Sequence, residues 1–282
     1  MPGWLDPACS APAPPIGDLV LELVPLATVG AMAAAYATGV VRLHGRGAHW
    51  PMGRTLAAAA GLTSVAAAAL PPLSSHDETF PVHVAQHLLL AMAAPALLAL
   101  SAPVTLGLRT LPACLRRRLL RVLHSRAVAV ATAPAVALTL NIGGLLLLYL
   151  TGLYARSVDN ETEHALVHLH MFAAGCLLSW TIVGVDPRPR RPGYGVRLAT
   201  LVVAAAAHDT VSKLLYARGL PPGAGPLLDR QVGAELMYYG GTLIDVALAV
   251  ALMAQWYRAT GREYRRMQRR LGTALTEVRG RS

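Results

Sequence analysis

HVAQHLLLAMAAPALLALSAPV, residues 83–104, decides how this chain is read. From Val82 to Val104 there is no Asp, Glu, Lys or Arg, yet there are two histidines. A membrane-crossing helix needs roughly 20 predominantly apolar residues, and this stretch supplies them. Ionisable side chains inside such a helix are costly and mark function by default. Working outward, similar stretches occur at about 19–41, 54–70, 127–150, 163–185, 194–217 and 233–257. The expected fold is therefore all-α, a bundle of seven transmembrane helices, with 54–70 short and alanine-rich. Pro25, Pro95 and Pro134 fall inside these spans, which membrane helices tolerate where neighbours satisfy the freed backbone groups.

Composition agrees with this class. The 282 residues are 54% hydrophobic and only 14% charged, whereas soluble domains carry about a quarter charged residues. The net charge of +10 would suit a nucleic-acid partner, but its distribution fits topology better. Arg42, Arg46 and Arg54 follow the first span, and Arg109, Arg116, Arg117, Arg118, Arg121 and Arg126 follow the third. Arg188, Arg190, Arg191 and Arg197 follow the fifth, and eight arginines lie beyond residue 257. These are 21 of the 25 basic residues. The positive-inside rule then places the N-terminus outside and the C-terminus in the cytoplasm. Three segments are expected: an extracytoplasmic N-terminal segment (1–18), a seven-helix transmembrane domain (19–257) and a basic cytoplasmic tail (258–282). Residues 1–15 lack a basic start and an apolar core, so no cleaved signal is expected. Cys9, Cys114 and Cys176 form no CxxC pair.

Seven of the ten histidines fall in the outer half of this topology: His76, His83, His87, His164, His168, His170 and His208. His83 and His87, and again His164 and His168, are four residues apart and so share a helix face. Two imidazoles on one face can bind a metal ion, or can simply face water at a helix end. Met171 continues the second face, either as a ligand or as a core filler. His170 points the other way. His208 and Asp209 lie in the sixth span with Lys213 four residues after the aspartate, spaced for an ion pair. Asp229 and Glu235 stand at the start of the seventh span, where Glu235 could complete a metal site or orient an imidazole. Asp245 sits near mid-span as a candidate proton relay. His76, Asp77 and Glu78 form a loop that could collect a cation, although a solvated loop is the simpler reading. The metal set is thus His83, His87, His164, His168 and His208, with His76, His170, Met171, Asp209, Asp229 and Glu235 as further ligands or supports. Imidazole suits Cu, Zn, Fe and Ni, and a thioether shifts the choice toward Cu(I).

HVAQHLLLAMAAPALLALSAPVTL in the third span, HLHMFAAGCLLSW in the fifth and DRQVGAELMYYGG leading into the seventh resemble the polytopic cytochrome c oxidase assembly factor CtaG family. The resemblance covers about residues 20–257. Arg230, Ala234 and Tyr238 depart from the pattern expected at the seventh span. The resemblance implies seven membrane helices and a non-catalytic role in maturing a haem–copper oxidase at copper insertion. His83, His87, His164, His168 and Asp229, and also His208, match family positions. The implied partners are haem–copper cytochrome c oxidase subunits, an extracytoplasmic copper chaperone and the lipid bilayer, with no nucleic acid. The implied location is the bacterial cytoplasmic membrane.

Two other readings compete. A copper or proton transporter would run through His208, Asp209, Lys213, Glu235 and Asp245, but no inverted repeat supports it. A haem-binding membrane oxidoreductase would use histidines of different helices as axial ligands, but each four-residue pair lies on one helix face.

Overall fold

The computed structural model describes residues 16–70, 73, 79–188 and 191–279. His76, Asp77, Glu78 and the first fifteen residues lie outside the described set. All regular structure among the described residues is helical.

The chain runs through α1 (Ile16–Gly45), α2 (Met52–Ala69), α3 (Phe80–His87), a π-helical turn (Leu88–Ala93), α4 (Ala94–Ser101) and α5 (Pro103–Thr110). It continues as α6 (Ala113–Leu123), α7 (Arg126–Ala131), α8 (Pro134–Leu150) and α9 (Leu153–Asp159). Three long helices finish it: α10 (Glu161–Val183), α11 (Tyr194–Arg218) and α12 (Leu227–Arg279).

Five helical stretches are long and apolar enough to cross a membrane: Leu26–Gly45, Phe80–Thr110, Glu161–Val183, Tyr194–Arg218 and Leu227–Gln268. The pair α8 and α9, bent by 77°, makes a sixth if counted as one span. The sequence led us to expect seven. The difference is α2, where Arg54, Thr55, Thr63 and Ser64 dilute a run of small alanines. The proline-bearing spans are also more broken than their composition suggests. Pro134 opens α8 rather than sitting inside a helix, so 127–150 is two helices, α7 and α8. Pro95 enters α4 just after the π-helical turn. The helix stops at Ala102, whose φ of 57° is left-handed, and Pro103 starts the next turn as α5. Asp186 holds this break. Its carboxylate accepts from the Thr105 amide at 2.7 Å, the Thr105 hydroxyl at 2.6 Å and the Val104 amide at 3.3 Å. A carboxylate at a helix N-terminus is the partner that exposed amides and the helix dipole favour.

The rod formed by α3, the π-helical turn and α4 is the centre of the bundle. It packs on α2, α10 and α12, and α8 and α11 close the ring between α10 and α12. α1 lies at the periphery against α2 and α5. Three apolar layers follow. One joins Phe80, Val84, Leu88, Tyr149, Tyr154, Met171, Leu215 and Met237. A second joins Ala96, Ala99, Ile182, Val183, Leu201 and Leu252, and a third Leu43, Trp50, Ala102 and Leu106. Outward-facing Leu169, Val202, Leu243 and Val250 are each about half exposed or more, an outer surface that suits lipid. α12 passes Tyr257 unbroken to Arg279. Its 53 residues extend about 80 Å, far more than a hydrocarbon core of about 30 Å.

Candidate functional site

Five of the histidines singled out in the sequence form one file at one end of the bundle. Local signals set each register. Asn160 caps α10, its side-chain oxygen accepting from the amides of Thr162 at 2.9 Å and Glu163 at 3.0 Å. That fixes His164 and His168 on the first turns of α10. Pro81 sits in the first turn of α3, where its missing amide hydrogen costs nothing, and places His83 and His87 one turn apart. The π-helical turn begins directly after His87. Such insertions often occur at functional sites because they rotate one half of a helix against the other.

The ring centroids fall into two groups, with His83 and His87 one turn apart on α3 between them. His164 to His168 is 4.2 Å, His168 to His83 is 5.8 Å, and His87 to His208 is 5.9 Å with the planes only 11° apart. α3, α10 and α11 therefore bring their imidazoles together. Two of the rings are half-buried and three are buried. His164 and His168 are half-buried, whereas His83, His87 and His208 are 1%, 5% and 7% exposed.

These rings are held by apolar and aromatic walls. Tyr154 meets His83 edge-on at 4.9 Å, and Tyr149 stands 6.0 Å from His83 and 5.9 Å from His87. Gly241 makes room for His208, since a Cβ there would overlap the imidazole carbon Cε1. Gly240 does the same for Leu88. The two glycines of MYYGG thus let α12 approach both α11 and the π-helical turn.

Ring nitrogens are left free to bind. The Nδ1 of His168 donates to the His164 carbonyl at 3.2 Å, so in the neutral ring Nε2 carries the lone pair. That Nε2 is buried and has no protein partner. The same holds for His83 Nε2, His87 Nδ1 and both nitrogens of His208. Buried polar atoms are nearly always hydrogen-bonded to protein, water or an ion, so this run of orphans has the chemistry of a metal or water file. Among the described residues, however, no three His, Cys, Asp or Glu side chains are spaced to hold one ion. The donors come in pairs.

Below His87 and His208 lies a cavity of about 50 Å³ lined also by Met92, Asn141, Met171 and Asp245. A water needs about 10–15 Å³ measured this way, so a few waters or an ion fit. Met171 is buried in the wall of this cavity. Asp245 borders it with Oδ2 buried and without a protein partner.

The other sequence candidates lie outside the imidazole file, although His170 borders the same cavity. His170 turns toward α8 and donates Nε2–H to the Leu140 carbonyl at 3.2 Å, against Gly144. Asp209 accepts from the Thr242 hydroxyl at 3.5 Å. Lys213 lies over the Tyr238 ring at 5.0 Å. No ion pair joins Asp209 to Lys213 among the described residues, where the pair seen is Arg156 with Glu163 at 3.6 Å. Glu235 is exposed on the outer face of α12, and Asp229 is half-buried in its first turn. The sequence reading missed Tyr149, Tyr154, Met92 and Asn141. Ionisable groups mark a span more strongly than amides do, and Asn141 in ALTLNIGG is the polar signal that could have pointed to the cavity.

The model of the cytochrome c oxidase caa3 assembly factor family, Caa3_CtaG, matches residues 34–259. Relatives at 30% identity include the uncharacterized protein Mb0105 of Mycobacterium bovis and MT0111 of Mycobacterium tuberculosis, each over 80% of this chain and 37% of the relative. ML1998 of Mycobacterium leprae matches at 30% over 82% of the chain and 38% of its own length. The chain thus spans little more than a third of the curated relatives it matches. No solved structure matches it. The matched residues hold every helix from the second half of α1 to the apolar part of α12, and the whole histidine file with them. The chain belongs to the cytochrome c oxidase caa3 assembly factor family.

Proposed function

We propose that the protein is a seven-span membrane assembly factor that takes copper at its outer-face histidine file and passes it to a haem–copper oxidase in the same bacterial cytoplasmic membrane. In this reading the N-terminus is outside, the C-terminus is cytoplasmic, and α2 is a seventh span shielded by α1 and α4. Copper is cargo here, not a resident cofactor.

One observation carries the reading. Imidazoles from three helices approach in two groups, His164–His168–His83 and His87–His208, at 4.2–5.9 Å, and His83, His87, His168 and His208 carry buried nitrogens that no protein group satisfies. Donor pairs rather than triads suit a carrier. A cation held by two imidazoles at a time exchanges ligands singly, and a soft ion accepting imidazole and thioether is Cu(I). His164 and His168 would receive copper at the half-buried end. His83 would pass it inward, and His87, His208 and Met171 would hold it deepest. The supporting Tyr149 and Tyr154 walls exclude water and keep the rings aligned. The family's role in caa3 oxidase assembly supports an oxidase subunit as the acceptor, and an extracytoplasmic copper chaperone is the donor in this reading.

The cavity reaching Asp245 is the feature that favours a transporter instead. Copper uptake into sealed vesicles bearing the purified protein would establish that reading and displace this one. The direct test is a strain lacking the chain, grown with limiting copper. Oxidase polypeptide should persist in the membrane while its copper content and activity fall. Normal copper content and activity would contradict the proposal.

A further inference from the structure

The opposite end of α10 holds a second built site, made of arginine. The last carbonyls of a helix lack partners within it, and here three guanidiniums take them. Arg197 Nε donates to the Ile182 carbonyl at 2.6 Å, Arg191 to Gly184 at 2.8 Å and Arg188 to Thr181 at 3.3 Å. Gln255 of α12 ties two of them, Arg191 and Arg197, together. Its Oε1 accepts from Arg197 at 2.7 Å and from Arg191 at 3.4 Å, and its Nε2 donates to Val183 at 2.8 Å. Arg197 is 1% exposed.

Carbonyl capping does not balance this corner electrically. A helix C-terminus offers roughly half a negative charge against three positive ones. No carboxylate lies within 4.0 Å of any of the three among the described residues, and no acidic residue occurs between Asp186 and Asp209 in the sequence. Arg188 also keeps Nε and Nη1 buried with no protein partner. Arg197 is buried and Arg188 half-buried, while Arg191 is exposed at the mouth of the corner; a buried charge without a counter-charge is unfavourable, and guanidinium pairs best with carboxylate or phosphate.

The position of the corner suits a phosphate carried by a lipid. The corner lies where α10 ends, α11 begins and the apolar part of α12 gives way to its basic extension. Trp256 and Tyr257, next to Gln255, are 49% and 77% exposed, and such aromatics settle at headgroup level. Basic pockets between membrane helices bind acidic lipid headgroups. We infer that Arg188, Arg191 and Arg197 bind the phosphate of an acidic phospholipid, locking α10, α11 and α12 together at the end opposite the histidine file. The site is independent of copper.

Thermal unfolding of the full chain in neutral detergent tests this. The additions are phosphatidylglycerol, phosphatidylcholine or inorganic phosphate, on wild type, Arg188→Gln and the surface control Arg121→Gln. Phosphatidylglycerol should raise the midpoint of wild type and Arg121→Gln well above the phosphatidylcholine value, with about half or more of that gain lost in Arg188→Gln. Equal gains from the two lipids, or an undiminished gain in Arg188→Gln, would overturn the site. A full gain from inorganic phosphate alone would overturn the lipid as its source. Native mass spectrometry of the wild type provides a measure that needs no variant. Phosphatidylglycerol retained no better than phosphatidylcholine would contradict the inference.

Discussion

A strain whose only copy carries both His83→Ala and His87→Ala is expected to lose most of its oxidase activity under copper limitation, by about tenfold or more, with the variant protein still present in the membrane. The size follows from position. These two rings are the centre of the file: His83 faces His168 and His87 faces His208. Removing them leaves the half-buried pair His164 and His168 with no imidazole between it and His208. Losing even a group that merely supports a metal ligand costs 10- to 100-fold in affinity, and a ligand pair is worth at least that. Folding should survive, because the helix ends are set elsewhere, by Pro81 and by Gln86, which donates to the Ala68 carbonyl at 3.2 Å. Alanine also favours helix. Oxidase activity and the abundance of the variant are read together by assay and immunoblot. Full activity at normal abundance would remove His83 and His87 from the pathway.

The histidine pairs were legible because helical spacing is arithmetic. Four residues is about one turn, so His83 with His87 and His164 with His168 had to share faces. That the two faces meet, and that His208 joins them one ring away, depends on how three helices rotate against each other. The π-helical turn after His87 sets part of that rotation, and LLLAMA gives no warning of it. Long apolar helices were equally legible, but their interruptions were not. Pro134 and Ala102–Pro103 break spans that composition alone reads as continuous, and the left-handed Ala102 depends on Asp186, 84 residues on in the chain. Electrostatic partners were the least legible. Asp209 and Lys213 are spaced for a pair, yet Lys213 goes to the face of Tyr238, because ring and cation meet across helices that the sequence does not place.

Gly175→Val is expected to have the largest effect on the bundle itself. α10 crosses the π-helical turn so closely at Gly175 that any Cβ would overlap the Ala91 carbonyl oxygen and press on Pro95 Cγ at 3.0 Å. The obstacle is backbone, so no side-chain rotation relieves it. Overpacking of this kind costs about 1–3 kcal/mol, and the strain falls on the turn that follows His87. The variant should melt several degrees lower in detergent, and any protein that remains folded should bind less copper, because α3 and α10 can no longer bring His83 to His168. Gly143→Ala is the matched control. Nothing lies within 4 Å of the added carbon there, and alanine gains up to about 1 kcal/mol over glycine in a helix. An unchanged melting temperature in Gly175→Val would show that the close crossing does not hold the bundle together.

The central claim is that the imidazole file carries copper, and the metal content of the purified protein tests it most directly. Wild type and the His83→Ala/His87→Ala variant would be loaded with Cu(I), dialysed and measured side by side for copper per chain and for visible absorption. The account predicts retained copper in wild type, little in the variant, and no Soret band in either. Equal copper in the two proteins, or a Soret band that disappears with the histidines, would contradict it.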